Sequence, residues 1–412
     1  MAGAIAVAAL ALRLAPAHAL GPLWLTLLLA VLAIGWILRQ PRAGRRDDAL
    51  PALAIAVSAV GLVVVARLSL PLGRLQEIWL AVSLGLTIAA TPFFDRIRRV
   101  AAYKYLWVLA SLVLFLLLAL FGEEVNGARL WIRIGSVHYE PIELIKLFIV
   151  FFMAAYLAET ADVIAAAKPW SLRANAKYLG PLIIGWGSSL LILVFEHDLG
   201  MAILLFAIFA SMLYVATRRT DLVVGAAGVL GLAVLWAAHH YPYIATRIAV
   251  WQNPSADPLG HGYQALQGTF AIAAGGFFGT GYGLGHPNFI PDVATDYVHA
   301  AFSEEFGFVG ALVLLIVYFT IVARALAIAQ ARSDLYTKLV ATGLGATLGF
   351  QVIIIVGGVL GLFPLTGITL PFFSYGGSSL VANYLAIGLL WSISDIRRPA
   401  TARSQTAAGS IG

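Results

Sequence analysis

Between Trp251 and Gly307 the chain collects acids and imidazoles: Asp257, His261, His286, Asp292, Asp296, His299, Glu304 and Glu305. Carboxylates and histidines are the side chains that move protons at working pH. Here they share one long connection, rich in Gly and Pro, and connections of that length usually bind or catalyse. Asp296 precedes an apolar run that starts near Ala300, in PDVATDYVHAAFSEEFG. Capping the following helix is one role for it. Thr295 could cap equally well, which leaves Asp296 free for another task. Glu304 and Glu305 stand two turns further on, inside apolar sequence. A carboxylate buried there without a partner is costly, so at least one is expected to face a polar cavity.

Five of the eight histidines lie in or beside this connection: His239, His240, His261, His286 and His299. They lack an HExxH-type spacing, so a histidine zinc cage is not expected. Gly279, Gly281, Gly283 and Gly285 alternate with other residues. With no strand before them they are no dinucleotide fingerprint; they suit a sharp bend or a close backbone approach. Tyr263, Leu266 and Phe270 recur at helical spacing and predict an amphipathic helix over 262–274.

Three other stretches carry candidate chemistry. GEEVNGARLWIRIGSVHYEPIELIK puts Arg129 and Arg133 beside Trp131, and Glu143 three residues before Lys146 on one helical face. Glu143 and Lys146 can be a neutral pair inside a span. The three cations can instead meet a phosphorylated lipid head group. In that case a variant lacking both Glu143 and Lys146 folds but stays inactive. FEHDLG crowds Glu196, His197 and Asp198 into a tight turn; Asp198 can be an N-cap, and both acids can line a cavity or tie down loops. GLFPLTGITLPFFSYGGSSL carries no charge and suits a re-entrant turn packed at membrane depth.

The elements that must position these groups are membrane helices. The 412 residues are 61% hydrophobic and 11% charged, against roughly a quarter charged in soluble domains. The apolar runs are too long and uniform for barrel strands. With no cysteine, disulfides, thiolate metal sites and cysteine nucleophiles are excluded. The fold class is an all-α polytopic membrane protein. Spans are expected near 49–66, 77–94, 105–121, 141–157, 178–195, 199–216, 222–238, 300–323, 338–360 and 378–396. Before them, Gly21–Leu38 is a further span, and Met1–Leu20, which lacks a basic start, a weak first helix rather than a signal. Segment 1–48 is thus an addition, 49–396 the core with its large connection 239–299, and 397–412 a polar tail.

Connections on alternate sides of these spans hold nineteen of the 26 Lys and Arg and are expected to be cytoplasmic. The Asp296 connection then lies outside. The net charge of +6 suits anionic lipid head groups better than nucleic acid. No internal repeat at a fixed period is present.

These stretches resemble the FtsW/RodA/SpoVE family of shape, elongation, division and sporulation proteins. FPLTGITLPFFSYGGSSL is close to that family's C-terminal signature. NGARLWIRIGSVHYEPIELIK resembles its NGAxRWIxxG…QPSELxK motif, and HDLG its DLG turn. GYQ…GGFFGTGYGLGHP…IPDVATDYVHAAFSEEFG resembles its glycine-rich, LPE, TDF and EE block. The likeness covers about residues 49–396, and the extra N-terminal span is more like the RodA branch. Departures are Glu140 for Gln, Ile142 for Ser, Asp292 for the Glu of LPE and Tyr297 for Phe; a lysine often found before LPE is absent, with His286 and Asn288 nearby.

The resemblance implies a ten-helix core and a peptidoglycan glycosyltransferase that polymerises lipid II outside the bacterial cytoplasmic membrane, beside a class B penicillin-binding transpeptidase. The family's essential aspartate falls on Asp296, which would act as base. Arg129, Arg133, Lys146 and Arg247, or a divalent cation such as Mg or Mn, would meet the leaving undecaprenyl pyrophosphate. Glu143, Asp198, His286, Glu304 and Glu305 complete the expected substrate contacts. Two other functions stay open on the residues alone: a lipid II flippase, which needs a polar path through the bilayer, and a non-enzymatic scaffold, which does not need Asp296.

Overall fold

The computed structural model describes residues 46–94, 96–125, 128–135, 137–167, 178, 180, 187 and 198–395. The segment before Arg46, most of the span expected at 178–195, Glu196, His197 and the tail lie outside them. Among the described residues eight helices are long and apolar enough to cross a membrane. They are α1 (Ala49–Leu68), α2 (Leu70–Phe94), α3 (Lys104–Phe121, with a helical turn before it), α4 (Ile142–Ala166), α5 (Leu199–Thr217), α6 (Thr220–His240), α9 (Val298–Gln330) and α10 (Leu335–Val359). The shorter α11 (Gly377–Ile393) is apolar as well. Each matches an expected span, so the chain is a multi-pass helical membrane protein.

α10 lies at the centre, enclosed more fully than any other of these spans, against α9, α5 and α4. Its small residues permit this. A Cβ on Gly343 would come within 2.7 Å of Val150 and 2.8 Å of Met212, so α4 and α5 press directly on the α10 backbone. α3 and α6 are mostly exposed along their lengths, as expected of helices whose apolar sides face lipid.

One end of the bundle carries the non-spanning elements. Residues 122–139, between the spans expected at 105–121 and 141–157, form an antiparallel sheet β1 (Gly122–Val125), β2 (Ala128–Ile134) and β3 (Val137–Tyr139) in that order. Glu123 pairs with Trp131, and Arg133 with His138. The long connection 239–299 is also more regular than an open loop. It contains α7 (Pro242–Gln252) and α8 (Tyr263–Gly275), the second one residue from its expected place. Pro242 sits in the first turn of α7, where its missing N–H costs nothing.

The other end is closed by polar contacts. Arg324 meets Asp47 at 2.8 Å and Arg46 meets Asp395 at 3.3 Å. Trp391 Nε1 donates to Asp48 at 2.9 Å.

Candidate active site

A tight turn presents Asp296. The Asp292 carbonyl accepts from the Thr295 and Asp296 N–H groups at 3.2 and 3.1 Å, and Asp292 itself adopts φ 48°. Asp296 therefore precedes α9 without capping it, and the position before the helix belongs to Tyr297. The uncharged loop between α10 and α11 braces this turn. Ser374 Oγ donates to the Thr295 carbonyl at 2.7 Å, and the Tyr375 N–H to the Ala294 carbonyl at 2.9 Å. Gln76 on α2 holds the loop from the far side, donating to the Ser374 carbonyl at 2.9 Å.

Arg247 on α7 faces Asp296 across a gap. Its guanidinium stacks on Tyr243, one helical turn earlier, at 4.6 Å. It donates to the Leu365 carbonyl at 2.7 Å and to the Tyr243 hydroxyl. Gly367 lies between acid and cation. A Cβ there would sit 3.5 Å from Asp296 Oδ2 and 3.7 Å from Arg247 Nη2, and the residue adopts φ 73°, a conformation glycine takes without strain. The backbone conformation is what calls for glycine here, since a Cβ would make only ordinary contacts with the two charged groups. Arg247 and Tyr297, the residue after Asp296, also line a cavity of about 640 Å³ with Tyr243, Trp251, His261 and Gln264, while Asp296 itself stands outside its lining.

The surroundings tune Asp296. Its side chain is only half-buried, yet enough protein surrounds it that burial pushes its carboxyl up to about 6. The Thr295 hydroxyl and the Arg247 charge pull in the other direction. Asp198 belongs to the same electrostatic neighbourhood. It caps α5, with Oδ1 accepting from Met201 N at 3.0 Å. Burial raises its carboxyl too, opposed by that cap and by Arg247.

The other sequence candidates occupy three further places. Glu143 and Lys146 pair at 2.7 Å, with side chains 2% and 1% exposed. Arg133 is exposed on β2, donating to the Gly135 carbonyl at 3.1 Å and standing 3.9 Å from Glu123. Arg129 lies in the same strand, and its side chain is outside what the structure describes. Glu304, Glu305 and His286 meet at the glycine-rich segment instead of beside Asp296. Glu304 accepts from the His286 N–H at 2.9 Å. Glu305 lies 3.5 Å from Arg67, which also donates to the Gly283 and Gly285 carbonyls. The sequence reading placed a polar cavity at these acids; what they face is the backbone of this strap.

The strap explains the alternating glycines. It lies on α9 where Gly307, at φ 66°, interrupts the helix. Thr280 N donates to the Glu304 carbonyl at 2.9 Å and Phe308 N to the Gly276 carbonyl at 2.9 Å. A Cβ on Gly307 would fall 2.3 Å from Gly279 N. Gly307→Ala combines that clash with a strained backbone and is expected to cost more than about 3 kcal/mol. Thermal unfolding of the detergent-solubilised protein measures it, and an unchanged Tm would show that the strap is not fixed there.

Comparison with known proteins agrees with this arrangement. The profile of the FtsW/RodA/SpoVE family, described as cell cycle proteins, matches residues 49–399. The chain belongs to the FtsW/RodA/SpoVE family. Within it, the chain is 37% identical to the peptidoglycan glycosyltransferase RodA of Mycobacterium tuberculosis, over 87% of this chain and 81% of that protein. It is 36% identical to the stage V sporulation protein E of Bacillus subtilis, over 72% and 79% of the two chains. Among solved structures it is similar to the Thermus thermophilus rod shape determining protein RodA (TM-score 0.60, 29% identity, 85% of this chain and 96% of that one). It is also similar to a chain from a peptidoglycan synthase complex that coordinates polymerization and crosslinking (TM-score 0.66, 30% identity, 85% and 97%). In this FtsW/RodA/SpoVE chain the signature loop is what braces the Asp296 turn and supplies Gly367. Sequence reasoning missed Gln76, Arg67 and Gln351. Each is a polar residue in or at the edge of an apolar helix, where burial requires a partner.

Proposed function

We propose that this chain is a peptidoglycan glycosyltransferase that polymerises lipid II, with Asp296 as general base. The observation that carries the reading is that Asp296 and Arg247 both stand next to Gly367, with Arg247 and Tyr297 lining a cavity large enough for sugar units. In this reading the 4-hydroxyl of the acceptor GlcNAc attacks the anomeric carbon of the donor MurNAc. Asp296 takes the hydroxyl proton as the new bond forms. The bond to undecaprenyl pyrophosphate breaks, and single displacement converts the α-linked donor into a β-linked product. A positioned base contributes roughly a hundred- to ten-thousandfold. The departing diphosphate gains charge that a fixed cation can stabilise. Arg247 is the cation the site itself supplies. Arg129 and Arg133 on β2 are candidates for contacts further out on the diphosphate.

The lipid tails would lie along the bundle, which accounts for chemistry on sugars being mounted on so many spans. The bias of connecting Lys and Arg to alternate sides of the spans supports an outer-face position for Asp296. A class B penicillin-binding transpeptidase is the partner that fits a polymerase of this kind. The likeness to a chain of a synthase complex supports that pairing.

Purified full-length protein, with its partner and lipid II in detergent or liposomes, tests the reading by the appearance of glycan strands. The base acts when ionised, so the rate should rise with pH and level off above an apparent pKa near the value of about 6 for Asp296. Single-turnover rates from pH 5 to 8 check this. A rate that is flat across that range would remove Asp296 as the titrating base.

A further inference from the structure

We propose that Gln351 is a positioning residue: it ties the buried Glu143–Lys146 pair to the loop before α11 and so fixes the gap between Asp296 and Arg247. The proposal rests on the reading of that gap as the catalytic centre.

Gln351 is fully buried, 0% exposed, in the outer half of α10. Its amide makes two bonds of opposite sense. Oε1 accepts from Lys146 Nζ at 3.2 Å, and Nε2 donates to the Thr369 carbonyl at 2.9 Å. An ammonium can only donate and a carbonyl can only accept, so the two partners fix the amide's orientation. Few side chains of this size could satisfy both. Beyond Gln351 the chain of contacts continues. Thr369 Oγ1 donates to Ser379 Oγ at 2.7 Å, and Asn383 Nδ2 to the same oxygen at 3.1 Å. The network therefore crosses from α4 through α10 and the loop to α11.

What the loop carries gives this network its consequence. Four residues before Thr369, the Leu365 carbonyl receives Arg247 at 2.7 Å. Two residues before it, Gly367 lies next to both Arg247 and Asp296. Between these, Thr366 packs onto the start of α5 so closely that a Cβ on Gly200 would fall 2.2 Å from it. A shift at Thr369 thus propagates to the spacing of base and cation. Lys146, at 1% exposure, acts in this scheme through Gln351.

Gln351→Glu separates the two bonds. It keeps an acceptor for Lys146 and sets a carboxylate against the Thr369 carbonyl. Gln351→Met removes both bonds without adding charge, and is made alongside in case the carboxylate prevents folding. The chain has no cysteine, so Thr366→Cys gives a single-thiol reporter at a buried site whose hydroxyl has no hydrogen-bond partner to lose. In the Thr366→Cys background, maleimide labelling should rise about fivefold or more in either Gln351 variant, from one lost hydrogen bond. Per folded molecule, kcat should fall roughly a hundredfold, with lipid II binding within about twofold of the parent. A merely structural role would lower the folded fraction and leave kcat per folded molecule unchanged. Labelling at parental rates in well-folded Gln351→Glu or Gln351→Met overturns the proposal, whatever the activity. Asp296→Asn in the same reporter background separates this from the base assignment: it should leave labelling unchanged and abolish turnover. Raised labelling in the Gln351 variants beside an active Asp296→Asn would uphold the tether and sink the base.

Discussion

Asp296→Asn is expected to abolish glycan polymerisation, by roughly a thousandfold or more, in a protein that folds as well as the parent or better. The activity loss follows from replacing a base by an isosteric amide that takes no proton. The stability gain follows from burial. The folded state holds the Asp296 carboxyl up at about 6 against an ordinary value of 3.8, so its ionised form is the one disfavoured by folding. At pH 7.5 the parent carries that cost and the amide does not. Below the unfolded value both forms are neutral and the difference vanishes. The Tm of Asp296→Asn should therefore equal or exceed the parental Tm at pH 7.5, with the gap narrowing as pH falls through about 6. Capping does not complicate the comparison, because Asp296 is not the residue before α9. Near-parental polymer length from this variant would remove Asp296 as the base and reopen the flippase and scaffold readings.

Lys146→Met should destabilise the protein by about 3–5 kcal/mol, because it leaves Glu143 buried without its partner. The double variant Glu143→Gln, Lys146→Met should recover most of that loss, since no lone charge remains. Turnover should stay low in the double variant. The amide oxygen of Gln351 then lacks the ammonium that holds it, and the loop it anchors carries the gap. Affinity for lipid II separates the two roles open to Lys146. If Lys146 holds the diphosphate directly, the double variant binds lipid II at least tenfold more weakly. If it acts through Gln351, binding is nearly parental. Recovery of both stability and turnover would show the pair to be structural only. Thermal unfolding and single-turnover rates are scored separately for all four proteins of the cycle.

The described spans were legible in the sequence because lipid imposes one rule on every backbone group and the answer is an apolar helix. The Glu143–Lys146 pair was one of two readings, the other setting Lys146 against a phosphorylated head group, and the structure pairs the two charges. The Asp198 cap was one of two readings, and the structure holds it. The sheet at 122–139 was not legible. Its strands are short and lie at the end of the bundle, where alternation carries little information. α7 was absorbed into the long connection because PYIATRIAVWQ follows a span directly and has no polar cap before Pro242. For Glu304 and Glu305 the burial cost suggested a polar cavity, whereas they meet the His286 N–H and Arg67. That these partners come with the glycine strap depends on the break at Gly307, and no spacing rule reports a chain reversal onto a helix kink. Gln351 carried the same signal as the acids, a polar group in an apolar run, and its two partners lie 205 and 18 residues away in sequence.

The contacts joining Arg46, Asp47 and Asp48 to Arg324, Trp391 and Asp395 have a mechanical consequence. The first and last described residues of the bundle are clasped together, so segments attached at either end depart from one point. A pull between them acts on the clasp and enters the helices only after the clasp opens. Asp296 is roughly 40 Å from it, by the rise of α9 between its start and Arg324. Arg324 in the clasp and the turn that presents Asp296 belong to the two ends of one helix, α9, so α9 is the element along which a pull reaches the far end once the clasp opens.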